Sequence, residues 1–358
     1  MVRQEQDAGG ESVLLQAAGD IIVSGLSASD VVEITRAEVS RAVEGLTLTA
    51  RAVAEERVKG LEGKILERFA QQPHLMGAFG DPDFQYSLRD AGRATASNED
   101  PYTEELLVDL LANRAEEGNT ARVRLATSHA VRAADKLSLD ALNGLTGLWA
   151  ITSLAPTEED LVAAHVQTVR DVTDALVDLP LPSDPYWIQE TDALNLTRSV
   201  LSSMQSRKGY RALLQERAAK HLVHGIPEDR YQELMADSSV PELTGKVARH
   251  QLKSGFIVLV GGTREEFLEM FPSDFTPTAP LDELIALNGF GAPDPEAVGR
   301  WTELLDEVPA SAAVGAWWDG TPLAEITMIG KVIGFVNARR HIAFSGATNV
   351  AELLGASA

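Results

Sequence analysis

The chain has 358 residues, of which 53 are acidic and 31 are basic, so its formal net charge is −22. A surface of this sign repels nucleic acid and anionic membranes unless basic groups are concentrated locally. The absence of cysteine excludes disulfides, thiolate nucleophiles and thiolate metal sites. No apolar run approaches the roughly 18 residues that a membrane helix needs, and the polar N-terminus indicates no secretion signal. We therefore expect a cytoplasmic protein without membrane contact.

Residues 1–26 are predicted to form a polar, flexible N-terminus followed by one short strand. Two short apolar runs, separated by glycine, indicate extended backbone in the segment "LLQAAGDIIVSG". A single strand cannot satisfy its own backbone N–H and C=O groups, so it needs a partner. The partner is either the same segment of another copy or the strand predicted at Phe256–Val260 of the same chain. The apolar residues that would take part are Leu15, Ile21, Ile22 and Val23.

Residues 27–73 are predicted to form one long helix directly behind this strand, with a break near Gly60 as the alternative because glycine weakens a helix. No proline interrupts the segment before Pro73, and apolar residues recur in steps of four and three, which is the heptad spacing of a coiled coil. A continuous helix of this length would span roughly 65 Å, too much for one face to be buried in a compact domain. We call this row of apolar residues the seam. It predicts self-association, and packing on the following helices of the same chain is the alternative. Its members are Val39, Val43, Leu46 and Val53.

The rest of the chain is predicted to form a helical domain over residues 80–236 and a small α+β domain over residues 237–358. Amphipathic periodicity and acidic helix starts continue through the first of these ranges. The second range contains the strand at Phe256–Val260 and ends with a short extended piece followed by an apolar helix. The predicted fold class is thus mainly α, with a short N-terminal strand, a long coiled-coil-like helix, a helical middle domain and a small α+β C-terminal unit.

Several of these segments resemble a family of uncharacterised bacterial proteins that are known only by locus tags. The opening "QAAGDIIVSGLSASDV" before a long helix is one shared feature, and the most specific is "DPDFQYSLRDAGRATA" (Asp81–Ala96), which continues into "EELLVDLLANR" (Glu104–Arg114). The resemblance supports this architecture and implies no chemistry. The glycines of the long helix depart from the family pattern. Similar Gly-Asp strand openings occur in bacterial conflict and defence proteins, which suggests a context of that kind.

No pattern in the sequence predicts a cofactor or a catalytic centre. The segment "LVGGTREE" (Leu259–Glu266) has the outline of an anion site, with a strand, two glycines and a helix start. It lacks the lysine of a phosphate loop, and its helix begins with two glutamates, so a tight turn is the favoured interpretation. We therefore expect no bound nucleotide. Ser128 and His129 lie within an amphipathic helix, and no Gly-x-Ser-x-Gly motif is present.

Three further sets of residues have a functional and a structural interpretation. His221 and His224 lie close enough on a helix to face one metal ion, but no third ligand has suitable spacing, and an exposed helix C-terminus is favoured. Asp81 and Asp83 are paired acids that could perform acid–base chemistry, yet their position before a helix favours N-capping. Trp317 and Trp318 are predicted to lie in the core or to anchor an interface.

Three functions are compatible with these observations. The leading one is a non-enzymatic scaffold or interaction protein that forms a homo-oligomer and binds an unidentified protein partner. A winged-helix-like DNA-binding regulator is the second, although the net charge opposes it, and an enzyme without a recognisable motif is the third. The regulator would use two basic islands, whose members are Lys246, Arg249 and Lys253 in one case and Lys331, Arg339 and Arg340 in the other.

Overall fold

The computed structural model describes residues 28–41, 47–116, 120–153, 161–199, 208–342 and 349–355. Helices dominate these ranges and the strands are short, so the prediction of a mainly α protein is confirmed. No helix in these ranges combines the length and the apolar character needed to cross a lipid bilayer. The N-terminal strand predicted within residues 1–26 lies outside the described residues.

The chain forms two compact units, each assembled from separate segments. The first unit comprises Met1–Ala150, Leu181–Leu201 and Leu323–Ala358, and the second comprises Ile151–Pro180 and Ser202–Pro322. Each unit therefore combines distant parts of the chain, whereas the domains predicted from the sequence are consecutive ranges.

Helices of the first unit surround an apolar core. Their helix starts carry the capping chemistry expected from the sequence, since Asp81, Asp100 and Thr120 each accept a backbone N–H of the first turn. Rings of Phe69, Phe79 and Phe84 meet in the core at centroid distances of 5.1–6.0 Å. The helices are α1 (Ala28–Ser40), α2 (Leu48–Gln71), α3 (Pro82–Ser97), α4 (Pro101–Ala115), α5 (Ala121–Ala134), α6 (Leu139–Thr152) and α8 (Tyr186–Ala193), with a 3-10 segment at Pro73–Gly80.

The helical character predicted for residues 27–73 is confirmed where the structure describes them, but the prediction of one continuous helix is wrong. Arg36 on α1 and Glu62 on α2 form an ion pair at 3.3 Å. In one straight helix their Cα atoms would lie about 40 Å apart. The two helices instead pack against each other. This arrangement buries Val31 and Val39 of α1 within the same chain, whereas a projecting helix would leave them in water.

A two-stranded sheet completes the first unit. Strand β1 (Thr197–Ser199) pairs antiparallel with β5 (Ala324–Ile326), and Thr197 lies opposite Ile326. Helix α15 (Met328–His341) begins immediately after β5, where Thr327 accepts the N–H of Gly330 as its N-cap. The predicted C-terminal sequence of a short extended piece followed by an apolar helix is therefore confirmed. A short helix, α16 (Val350–Leu353), follows.

The second unit combines helices with a three-stranded antiparallel sheet. Its helices are α7 (Val162–Asp178), α9 (Tyr210–Arg217), α10 (Glu228–Met235), α11 (Arg264–Leu268), α12 (Ala279–Asn288), α13 (Pro295–Asp306) and α14 (Pro309–Gly320), and a 3-10 turn spans Ala219–His221. The strands are β2 (Ile226–Pro227), β3 (Val247–Arg249) and β4 (Phe256–Leu259). The strand predicted at residues 256–260 is thus confirmed. Because β1 and β2 lie within residues 80–236, the expectation that this range is entirely helical is corrected to mostly helical.

Strand β4 is the central strand of this sheet, and both of its edges are used. Its neighbours are β2, where Ile226 lies opposite Ile257, and β3, where Val247 lies opposite Leu259. Beyond the end of β2, the Leu259 N–H donates to Oδ1 of Asn288 at 3.0 Å. The described chain therefore already supplies the partners of β4, which weakens the alternative in which residues 14–24 pair with this strand.

Candidate functional site

The residues predicted to mediate self-association do not form one exposed seam in the described part of the chain. Val39 is completely buried within the first unit, whereas Val53 is 46% exposed. Val39 is buried within its own chain because α1 packs on α2 and α3. The other predicted members lie outside the described residues: Leu15, Ile21, Ile22, Val23, Val43 and Leu46.

The beginning of helix α2 is exposed on every side. Every residue from 47 to 53 is exposed, and Leu48 retains 88% of its accessible surface. Ala54 is the first buried residue, after which burial recurs every three or four positions along the helix. We call residues 47–53 the α2 start. Arg51 is the only charged residue in it, and its Nε donates to Oε1 of Glu55 at 2.7 Å.

The paired acids before helix α3 have a structural role. Oδ1 of Asp81 accepts the Asp83 N–H at 3.0 Å, so the predicted N-cap is confirmed. Nη2 of Arg114 lies 3.2 Å from Oδ2 of Asp81 and 2.7 Å from Oδ2 of Asp83. The Arg114 side chain is only 3% exposed. This arginine was not predicted as a partner of the two acids, although its position at the end of the largely apolar stretch Glu104–Arg114 indicates a charge that has to be paired.

His221 and His224 do not meet at a metal site. Nδ1 of His224 lies 2.9 Å from Oδ2 of Asp294, and Nζ of Lys253 lies 3.1 Å from the same oxygen. Lys253 also donates to the carbonyl of His224 at 2.9 Å. In the described ranges, no group of three or more His, Cys, Asp or Glu side chains has the arrangement of a metal site. Asp294, which the sequence did not single out, also caps α13 by accepting the Ala297 N–H.

The basic islands predicted from the sequence are largely involved in internal contacts. Lys253 is buried, and Nζ of Lys246 lies 5.0 Å from the centre of the Phe271 ring. In the second island, Arg340 forms an ion pair with Glu105. Neither island therefore presents three adjacent cations to solvent.

The glycine pair after β4 forms a turn that leads into α11. Thr263 and Glu266 form a reciprocal capping arrangement, in which Glu266 N–H donates to Oγ1 of Thr263 at 3.1 Å and Gly262 N–H donates to Oε2 of Glu266 at 2.7 Å. The φ of Gly261 is +122°, a value that favours glycine. The predicted turn is confirmed, and the glutamate occupies the position that a phosphate would need.

Of the other residues singled out in the sequence, Ser128 and Trp318 are buried and His129 is exposed. Oγ of Ser128 lies 3.1 Å from Oγ of Ser87, and His129 is exposed on the same helix. The Trp318 indole N–H donates to the carbonyl of Lys208 at 3.0 Å, and the ring is buried. The core prediction therefore holds for Trp318.

Helices α7 and α13 bury two polar aromatic side chains that the sequence analysis did not single out. The rings of His165 and Trp301 stack at a centroid distance of 6.3 Å. His165 is 2% exposed, and within the described ranges neither of its ring nitrogens has a hydrogen-bond partner, nor does Nε1 of Trp301. Burial, together with the positive charges of Lys220 and Arg217, lowers the pKa of His165 to about 4. A neutral histidine at this position is therefore expected at physiological pH.

Comparison with known proteins gives one match. A protein-family model matches residues 25–348, and the description of that family, ":-like", names no activity, substrate or partner. No curated protein and no solved structure matches the chain. The match confirms the resemblance to an uncharacterised family and adds no chemistry to it.

Proposed function

Since this chain belongs to the uncharacterised ":-like" family over residues 25–348, we propose its function from its surface: it is a non-enzymatic interaction protein that assembles with a second copy of itself. The observation that carries the proposal is the exposure of Leu48 and Val53 on the α2 start. Single exposed apolar residues are common on protein surfaces. Two exposed apolar residues on one short helical segment with little charge form a larger contact surface than either residue would form alone.

Charge favours a second copy as the occupant of this surface. The net charge of −22 makes most approaches between two copies repulsive. The α2 start is an exception because its single charge, on Arg51, is balanced by Glu55 of the same helix. Two identical helices related by a two-fold axis would bring the Val53 faces of both copies together, and Leu48, about 140° away around the helix axis, would cover the flank of that contact.

The free energy gained by burying the α2 start indicates whether other residues must take part in the contact. Fully burying one leucine or valine side chain contributes roughly 1.5–3 kcal/mol, and because Val53 is only 46% exposed, the two residues of both copies together contribute roughly 4–8 kcal/mol. Association costs an estimated 4–15 kcal/mol. Leu48 and Val53 alone are therefore close to balance, and we include in the contact the other seam residues, Val43 and Leu46, and the N-terminal strand residues Leu15, Ile21, Ile22 and Val23.

The internal contacts of the polar candidates support a non-enzymatic function. Asp81 and Asp83 share the buried guanidinium of Arg114, and His224 pairs with Asp294. The DNA-binding alternative has less support because Lys253 and Arg340 are engaged with carboxylates of the same chain. A cytoplasmic location, an additional protein partner and a conflict or defence context belong to the proposal and rest on the sequence alone.

Light scattering after size-exclusion chromatography tests this proposal. The intact chain should elute as an oligomer, and Leu48→Asp with Val53→Asp should lower its mass. Val177→Asp is the matched control, since Val177 is 50% exposed on α7 and its replacement should leave the mass unchanged. A monomeric intact chain at tens of micromolar would contradict the proposal, as would equal behaviour of the two variants.

A further inference from the structure

A cleft in the second unit is lined by basic side chains, and none of its described lining residues is acidic. It lies between the 3-10 turn Ala219–His221 and the strands β3 and β4, and it encloses about 90 Å³. Because the chain as a whole carries more acidic than basic residues, a cleft with basic and without acidic lining residues differs from the average composition of this protein. We call it the basic cleft, and its polar side chains are Lys220, His221, Arg249, His250 and Gln251.

The pKa of His165 gives a second indication of positive charge on the side of the cleft that Lys220 lines. After burial, the charges that lower the pKa of His165 are those of Lys220 and Arg217. Lys220 lines the basic cleft. Among the described residues, the two ring nitrogens of His165 have no hydrogen-bond partner.

The positive end of a long helix is attached to the same cleft. Helix α7 begins after Leu161, which provides no side-chain cap. The Val162 N–H instead donates to Oε1 of Gln251 at 2.7 Å, and Gln251 is one of the cleft residues. The N-terminus of a helix carries a partial positive charge, which adds to the charges of Lys220 and Arg249.

We infer that the basic cleft binds a small oxyanion of the phosphate or sulfate class, with Arg249 and Lys220 as its charged contacts. An arginine guanidinium can donate two parallel hydrogen bonds to such an anion. Arg249 is exposed and, among the described residues, makes no ion pair with a carboxylate of the chain, so its guanidinium is available.

The dimensions of the cleft restrict the ligand. A cavity of about 150 Å³ accepts benzene, and pockets for drug-sized molecules measure roughly 300–1,000 Å³. A cleft of about 90 Å³ therefore suits a single tetrahedral anion and is too small for a nucleotide. His250 forms part of the wall, because Nε2 bonds to the carbonyl of Val223 at 2.9 Å and Nδ1 accepts the Leu252 N–H at 3.1 Å.

Isothermal titration of the full chain with sodium phosphate, in a buffer of low ionic strength, tests the inference. We expect saturable binding with a Kd of about 1 mM or tighter. Arg249→Gln should weaken it at least tenfold, and Lys220→Gln should weaken it as well. Arg264→Gln is the matched control, since Arg264 is an exposed arginine of the same unit that already pairs with Asp282, and it should bind like the parent chain.

Phosphoserine, titrated in parallel, distinguishes a free anion from a phosphate ester. Binding of both would support a site for either source, and binding of phosphate alone would support a site for the free anion. Absence of saturable binding by the parent chain would overturn the inference. Equal affinity in Arg249→Gln, Lys220→Gln and the parent would overturn it too, provided that thermal unfolding shows each variant to be folded.

Discussion

Lys253 and Asp294 form an ion pair in which Nζ and Oδ2 lie 3.1 Å apart, and both side chains are at most one-tenth exposed. Burial alone would raise the pKa of Asp294, but the N–H of Ala297 and the Lys253 ammonium outweigh it, so the pKa lies below its ordinary value. The pair joins the loop between β3 and β4 to the first turn of α13. Because the Lys253 ammonium also donates to the carbonyl of His224, one cation satisfies two acceptors.

Replacement of this lysine should be strongly destabilising. Lys253→Met keeps much of the apolar stem but leaves the Asp294 carboxylate buried without its lysine partner. Breaking a buried pair in this way costs about 3–5 kcal/mol. The measurement is the free energy of unfolding in urea at neutral pH. Lys331→Met, at an exposed position on α15, is the control and should change stability by less than about 0.5 kcal/mol. A similar loss in both variants would show that the pair has no special role.

The buried histidine predicts a dependence of stability on pH. The pKa of His165 is about 4 in the folded chain and about 6.5 in an unfolded one. Above pH 6.5 the histidine is neutral in both states, and its contribution to folded stability is intact. Between pH 6.5 and pH 4 only the unfolded chain gains the proton, so stability falls by up to about 1.4 kcal/mol per pH unit.

His165→Phe should remove this part of the pH dependence. The ring would keep its stacking on Trp301 and would no longer bury two unsatisfied nitrogens. Urea midpoints at pH 7 and pH 5 should therefore differ less in the variant than in the parent. His129→Phe, at an exposed position on α5, should keep the parent's difference. If the parent and His165→Phe lose the same stability on acidification, the assignment of this histidine is incorrect.

Two helical glycines should respond in opposite ways to the same substitution. A Cβ at Gly330 would overlap the backbone carbonyl of Leu196, whereas no atom of the described residues lies within 4 Å of a Cβ at Gly63. Gly330→Ala should therefore destabilise the chain because α15 could not approach the segment before β1. Gly63→Ala should stabilise it by up to about 1 kcal/mol, since alanine is the better helix former. Thermal unfolding of both variants is the measurement, and a stable Gly330→Ala chain would contradict the close approach.

Local chemistry explains which parts of the fold were predictable from the sequence. The caps at Asp81 and Thr263 depend on residues within a few positions of each other, and both were predicted correctly as helix starts or turns. The central strand β4 was also predictable because "FIVLV" is an apolar run that ends at two glycines. In each case the decisive interactions lie within one short segment.

The packing of α1 on α2 was not predictable in the same way. A heptad pattern indicates that one face of the helix is buried. It does not indicate whether the residues that bury this face belong to another copy or to the same chain. Glu38 of α1 receives two hydrogen bonds from Arg89 of α3, and these residues are 51 positions apart. Likewise, Lys253 belongs to an acid-free stretch in the sequence, and only the fold brings Asp294 to it.

The absence of cysteine from the chain makes the proposed contact at the α2 start directly testable by cross-linking. Val53→Cys introduces a single thiol at a residue that is 46% exposed, and Val177→Cys introduces one at a residue that is 50% exposed. If two copies meet at the α2 start, a short bismaleimide should link Val53→Cys into covalent dimers at micromolar concentration and link Val177→Cys only at background level. Adding Leu48→Asp to Val53→Cys should reduce the yield to that background, because a charge at the most exposed apolar residue opposes burial of the surface.

A higher yield from Val53→Cys would distinguish a specific contact from random collision, since the two thiols are matched in exposure and differ only in location. Equal yields from Val53→Cys and Val177→Cys would contradict a contact at the α2 start. An oligomer that persisted in light scattering despite equal yields would have to be held by other residues, and the contact would then have to be sought elsewhere on the chain.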